Sequence, residues 1–147
     1  MIAYFAYGSN MWIDQMVART GPVHVGAERP RIAQLPGYRL AFNMRGENGQ
    51  VYANIVHPGG YVLGVIYTCD ADALEKLDVF EKGYHRRQVV VIGEHGETFD
   101  AVTYKAAPEN VIDGGGKPSA EYLHRILRGG RQHNLPPAYL REIEALG

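Results

Sequence analysis

The stretch Tyr4-Phe5-Ala6-Tyr7-Gly8-Ser9-Asn10-Met11 decides how the rest of the chain is read. Ile2 to Tyr7 is a short apolar, aromatic-rich run, the signature of a buried strand. Gly8 lacks a Cβ and so permits a sharp turn. Ser9 and Asn10 are good residues to begin a helix. Strand, glycine turn and helix start in that order leave backbone amides unpaired and aimed one way. With the positive end of a helix behind them, such amides suit a carboxylate or a developing oxyanion. A plainer reading stands beside this one: Gly8 turns the chain and Asn10 caps the helix.

Outward from that turn, Met11 to Arg19 predicts a short helix with Trp12, Gln15, Met16 and Arg19 on one side, ended by Thr20-Gly21-Pro22. Val23 to Ala33 is strand-like, with Pro30 implying an edge or a bulge. Tyr38 to Met44 and Val51 to Val56 read as strands joined by a turn over Arg45 to Gly49. Tyr61 to Thr68 is almost continuously apolar, as a central strand would be. Asp70 is a plausible cap for a helix whose stripe is Leu74, Leu77 and Phe80. Gln88 to Gly93 and Phe99 to Ala106 form a hairpin around Glu94 to Glu97. Pro108 to Lys117, with its three glycines, predicts a mobile loop. Two helices follow, one capped by Ser119 and one opened by Pro136-Pro137.

The 147 residues fit one domain over 1–147, with no repeat and no linker. Many short strands and few helices predict an α+β fold built on a curved, barrel-like mixed β-sheet. A net charge of −1 gives no reason to expect nucleic acid or an anionic membrane as partner. No apolar run approaches the roughly 20 residues of a membrane span. Cys69 is the single cysteine, which excludes an internal disulfide and favours a reducing, cytoplasmic setting. The expected assembly is a monomer or homodimer.

Glu81 departs from its surroundings. On a helix it follows Leu74 and Leu77 on the same face, whereas Glu75 projects to the solvated side. A carboxylate on a core face has its pKa raised by burial, and the negative end of its own helix pushes the same way. That is the property a general base needs near neutral pH. The alternatives are a helix that ends one turn earlier, or an ion pair with Arg86 or Arg87.

Rival constellations are weaker. Gly8-Ser9-Asn10 lacks the second glycine of a serine-hydrolase elbow. No histidines sit at metal-ligand spacing, and Cys69 reads as a small buried residue. Gly114 to Pro118 misses the phosphate-loop pattern, and Arg125, Arg128 and Arg131 read as a solvated helix face.

Taken together, the early Tyr7-Gly8-Ser9-Asn10-Met11 turn and the Leu77-Asp78-Val79-Phe80-Glu81 helix end resemble the γ-glutamylcyclotransferase family and its AIG2-like relatives. Gly64 to Tyr67 resembles the family's central strand. Pro118 to Tyr122 and Asn134 to Tyr139 resemble its C-terminal helices. The resemblance implies a γ-glutamylcyclotransferase-like enzyme that needs no cofactor and no metal. Its small-molecule γ-glutamyl substrate would release 5-oxoproline as its own α-amine attacks its γ-carbonyl. It implies Glu81 as general acid/base and Tyr7, Gly8, Ser9, Asn10, Met11, Tyr84 and Tyr122 as substrate-binding residues; Tyr104 is a further pocket candidate that the resemblance does not itself supply. One departure bears on the leaving group. Only Lys82 and Gly83 separate Glu81 from Tyr84, where the better-characterised cyclotransferases have several more residues. Tyr84-His85-Arg86-Arg87 is closer to the AIG2-like branch. The alternatives are the same chemistry on a γ-glutamylamine or a γ-glutamyl-tagged metabolite, and a non-catalytic small-acid binding module on the same fold.

Overall fold

The computed structural model describes residues 1–21 and 29–147. In chain order the strands and helices are β1 (Ile2–Ala6), α1 (Ile13–Thr20), β2 (Arg31–Pro36), β3 (Arg39–Arg45), β4 (Val51–Val56) and β5 (Tyr61–Cys69), then α2 (Ala71–Phe80), β6 (Tyr84–Gly93), β7 (Thr98–Ala106), α3 (Ala120–Gln132) and α4 (Pro137–Leu146). Five strands close into a barrel in the order β1-β5-β2-β6-β7. All neighbours are antiparallel except β7 and β1, which meet in parallel at Tyr4 and Val102. β3 and β4 form a separate hairpin. The architecture is therefore the α+β, barrel-like mixed sheet that the strand pattern predicts. Among the described residues no helix is long and apolar enough to cross a membrane.

The apolar run at β5 is central for the expected reason. It pairs β1 along one edge and β2 along the other, and Val62, Val65, Ile66 and Tyr67 are all buried. Gly64 sits at the tightest approach in this layer: a Cβ there would lie 2.3 Å from the Ala6 carbonyl oxygen and 2.9 Å from the Phe5 ring. β6 starts five residues before its apolar pattern, which begins at Val89. His85 to Gln88 are exposed, so pairing with β7 from Tyr84 onward, not periodicity, makes this segment a strand.

Several expectations change or fall outside the described residues. The strand expected over Val23–Ala33 lies outside the described residues as far as 28, and the described strand runs Arg31–Pro36. Pro108–Lys117 is tied down: Ile112 N–H donates to the Asn43 carbonyl at 2.6 Å and Gly116 N–H to that of Phe42 at 2.9 Å. Glycines there serve a turn against β3, which composition alone reads as mobility. Phe80 leaves the core stripe. Leu74 and Leu77 are fully buried, while Phe80 is 53% exposed with the Arg19 guanidinium over its ring. On α3, Arg128 and Arg131 are exposed as expected, but Arg125 turns inward.

Candidate active site

A cleft of about 450 Å³ opens between the segment after β1, the end of α2, β4 with the β3–β4 turn, and the start of α3. Its floor is the turn the sequence singles out. Ser9–Met11 is one turn of 3₁₀ helix, closed by Met11 N–H to the Gly8 carbonyl at 3.1 Å and Trp12 N–H to that of Ser9 at 3.0 Å. Among the described residues the amides of Gly8, Ser9 and Asn10 give no hydrogen bond to a backbone carbonyl, and all three residues line the cleft. These are the unspent donors expected of the turn.

Two readings of the turn need correction. Gly8 has φ −116°, outside the left-handed region, so conformational freedom is not its contribution. What it leaves is room: a Cβ would stand 3.5 Å from the Tyr122 hydroxyl, inside the cleft. Asn10 is not a helix cap, because α1 starts later, at Ile13, with Trp12 at the cap position. The Asn10 side chain instead works across the site. Its Nδ2 donates to the Tyr4 hydroxyl at 2.9 Å and to Glu81 Oε1 at 3.0 Å. Its Oδ1 accepts from Gln15 Nε2 at 3.0 Å and Arg19 Nη1 at 3.1 Å.

The turn is anchored from beneath. The Tyr67 hydroxyl, from the last third of β5, is within reach of the Asn10 carbonyl at 2.7 Å and the Met11 carbonyl at 3.0 Å. His133 Nε2 lies 2.7 Å from the same Met11 carbonyl, and burial lowers its pKa, which favours the neutral ring. Gly129 of α3 lets that helix lie directly against the turn: a Cβ there would come within 2.5 Å of the Trp12 nitrogen. Met11, predicted as a substrate contact, is fully buried and does not line the cleft. Its side chain packs the core and its carbonyl serves as an anchor point.

Glu81 follows α2 as its cap residue, its N–H donating to the Leu77 carbonyl at 2.9 Å. The helix therefore reaches Phe80 and does not end a turn early. The carboxylate is 15% exposed and sits 3.7 Å from Arg19 Nη1. Burial raises its pKa to about 6, against the opposing pull of Arg19 and the Asn10 hydrogen bond, with Asp78 adding a smaller push upward. Neither Arg86 nor Arg87 is the partner considered from sequence. Arg86 instead makes a two-point contact with Asp78, at 2.9 and 2.7 Å, and the Tyr104 hydroxyl donates to the same carboxylate at 2.6 Å. That arginine holds the Asp78 carboxyl below its usual range. It also ties the last turn of α2 to β6 and β7.

The short link after Glu81 has a simple geometry. Tyr84 N–H returns to the Glu81 carbonyl at 3.1 Å, and Gly83 has φ +88°, the positive angle that a type II turn asks of its third residue. Tyr84 then reaches β4, donating to the Ala53 carbonyl at 2.6 Å, while Ala53 N–H donates to the Tyr122 hydroxyl at 3.1 Å. Tyr7 and Tyr104 complete this wall, with the Tyr7 hydroxyl donating to the Tyr104 carbonyl at 2.6 Å. Burial pushes all four phenols up, so they remain neutral donors. Of the predicted site residues, Tyr7, Gly8, Ser9, Asn10, Glu81, Tyr84 and Tyr122 thus meet in one cleft. Gln15, Arg19 and Arg125, which also line it, went unassigned. Among the described residues no three His, Cys, Asp or Glu side chains converge on a possible metal position.

The sequence model of the family described as "Gamma-glutamyl cyclotransferase, AIG2-like" matches residues 4–124, and the chain belongs to that family. A human γ-glutamylcyclotransferase is 27% identical over 158 residues, covering 97% of this chain and 77% of its own length. A bovine γ-glutamylcyclotransferase is 26% identical over 153 residues with the same coverage of 97% and 77%. A solved γ-glutamyl cyclotransferase structure shares the fold with a TM-score of 0.86 at 24% identity, covering 99% of this chain and 88% of that one.

Proposed function

We propose that this chain is a γ-glutamylcyclotransferase that releases 5-oxoproline from a γ-glutamyl compound. The observation that carries the reading is the pairing of Glu81, its pKa raised to about 6, with a turn whose residues Gly8, Ser9 and Asn10 line the same cleft and whose amides give no bond to a backbone carbonyl. The substrate's α-ammonium gives a proton to Glu81, and the freed nitrogen lone pair attacks the γ-carbonyl carbon. The Gly8–Asn10 amides stabilise the tetrahedral oxyanion. The bond from the γ-carbon to the departing nitrogen then breaks as Glu81 delivers its proton to that nitrogen. The restored carboxylate takes the remaining extra proton from the ring nitrogen, leaving a neutral lactam, and passes it to the freed amine, which departs as an ammonium. Because nucleophile and electrophile belong to one molecule, the protein's contribution is a folded substrate conformation, a proton carrier and oxyanion donors. The names of the human and bovine relatives support this activity.

The Lys82–Gly83 turn favours a second reading, in which the leaving group is an amine or a larger metabolite rather than an amino acid. Lys82 of this turn lines the cleft together with residues of the β3–β4 turn and the start of α3. The test for both readings is a panel of γ-glutamyl amino acids and γ-glutamylamines followed by mass spectrometry for 5-oxoproline. Release from at least one class is expected. Tight binding of the panel without any 5-oxoproline would leave a small-acid binding module.

A further inference from the structure

The buried polar chain beneath the cleft has a direction, and its source is a residue near the surface. A carboxamide can present either end to a neighbour until a group that acts only one way settles the matter; a guanidinium can only donate. Arg125 Nη1 donates to Gln15 Oε1 at 3.1 Å, which turns Gln15 Nε2 inward. There Nε2 donates to Ser9 Oγ at 2.7 Å and to Asn10 Oδ1 at 3.0 Å. Arg19 adds a second donor to that Oδ1. With Oδ1 taken twice, Asn10 Nδ2 must face Tyr4 and Glu81 Oε1. Gln15 and Asn10 are only 7% and 4% exposed, so solvent is poorly placed to replace a lost partner.

We propose that Gln15 is a positioning residue, oriented by Arg125, which holds the Asn10 amide so that Glu81 Oε1 stays an acceptor and the travelling proton is confined to Oε2. The proposal rests on Glu81 being the proton carrier. Reversing Asn10 would set its Oδ1 against Oε1, and two acceptors at hydrogen-bond distance are tolerated only if a proton sits between them. That proton would be spent on Asn10 and lost to the substrate. The same Gln15 contact occupies Ser9 Oγ as an acceptor, which leaves the Ser9 hydroxyl hydrogen for the cleft.

Glu81 has few titrating neighbours to confuse a measurement. Arg19 faces it from α1 and Asp78 from α2, with Lys82 next in the chain. The phenols of Tyr4, Tyr7, Tyr84, Tyr104 and Tyr122 are all pushed up by burial and stay neutral, and the Asp78 carboxyl is lowered by Arg86.

The experiment is a pH titration of the Glu81 side-chain carboxyl carbon by NMR in the wild type and in Gln15→Met, which keeps length and neutrality but cannot donate. The wild-type midpoint is expected near 6. In Gln15→Met it should rise by about half a pH unit or more, as Asn10 is no longer held as a donor to the charged form. Arg19 remains, so the effect is partial. The kcat should fall about tenfold with KM within about twofold, the scale of one hydrogen bond to a charged group. Arg125→Met reads the same chain from its outer end if the first variant does not fold. Arg128→Met is its charge control, removing a cation from α3 that lies over Trp12 and outside the chain. An unmoved midpoint in a folded Gln15→Met would overturn the proposal, as would equal shifts in the Arg125 and Arg128 variants. The titration needs no turnover. An inactive wild type would therefore count against the proposed reaction, and the midpoints would still decide the role of Gln15.

Discussion

The two ends of the cleft are built differently. At the inner end Ser9, Asn10 and Gln15 are 8%, 4% and 7% exposed, and each is hydrogen-bonded to a group on another element or turn. At the outer end Glu47, Asn48, Gln50, Lys82 and Glu121 are exposed. The β3–β4 tip is held mainly by its own contacts, Asn48 Nδ2 to the Tyr52 hydroxyl at 2.8 Å and Gln50 N–H to Asn48 Oδ1 at 3.0 Å. A rigid, dry end suits the chemistry, which tolerates little misplacement. A wet end of exposed side chains suits a leaving group that can differ in size and charge. On the proposed function the reaction belongs to the inner end and selectivity to the outer, and mutations should separate them.

The largest effect is expected at Glu81. Glu81→Gln keeps shape and a hydrogen-bond acceptor for Asn10 but carries no proton, so kcat for 5-oxoproline release should fall by about 10²–10⁴. Stability should move the other way. The Glu81 pKa rises from 4.5 to about 6 on folding, so the native state holds the proton more tightly than the unfolded chain. Its contribution to stability therefore falls as pH rises through that window, by ~2 kcal/mol in all, and stays reduced above it. The glutamine variant lacks this loss. Its melting temperature at neutral pH should equal or exceed the wild type's, and thermal unfolding at pH 4.5 and 7 measures it. A variant that unfolds would make Glu81 a structural partner of Arg19.

Next comes the anchoring of the inner end from beneath. Gly129→Val cannot keep α3 against Trp12 and should cost about 1–3 kcal/mol by overpacking. Displacing the turn by a fraction of an ångström to an ångström should lower kcat/KM by up to about 10²-fold, read by steady-state kinetics alongside chemical denaturation. The pH dependence follows in size. On the proposed mechanism Glu81 acts in its ionised form, so kcat/KM should drop about tenfold per unit below a midpoint near 6. The smallest effects belong to the outer end. Lys82→Ala and Glu47→Ala should leave kcat alone and change KM by no more than about fivefold, with opposite preferences for anionic and cationic leaving groups. A loss in kcat from either one would erase the distinction between the two ends.

Much of the inner end is legible in sequence because its signals are local. The β1 run, the glycine turn and Glu81 four residues after Leu77 are all short-range patterns. The bracing is not, because it joins residues far apart in the chain: Tyr67 to Asn10, His133 to Met11, Arg125 to Gln15. A hint was present in Gln15 and Arg19 sharing a helix side with Met16, which is buried. Asn10 is misread as a cap because a short polar side chain after a turn has the same local appearance whether it bonds its own helix or a carboxylate 71 positions away. The 108–117 loop is misread for a related reason: glycine content reports backbone freedom in the unfolded chain, and the bonds to β3 that remove it are long-range.

The most direct test of the central claim, internal attack with Glu81 carrying the proton, is to run the reaction in ¹⁸O-enriched water and weigh the products. The account predicts unlabelled 5-oxoproline formed in equal amount with the free amine, since the ring closes without water. Glutamate carrying one ¹⁸O would contradict it, because the nucleophile would then be solvent.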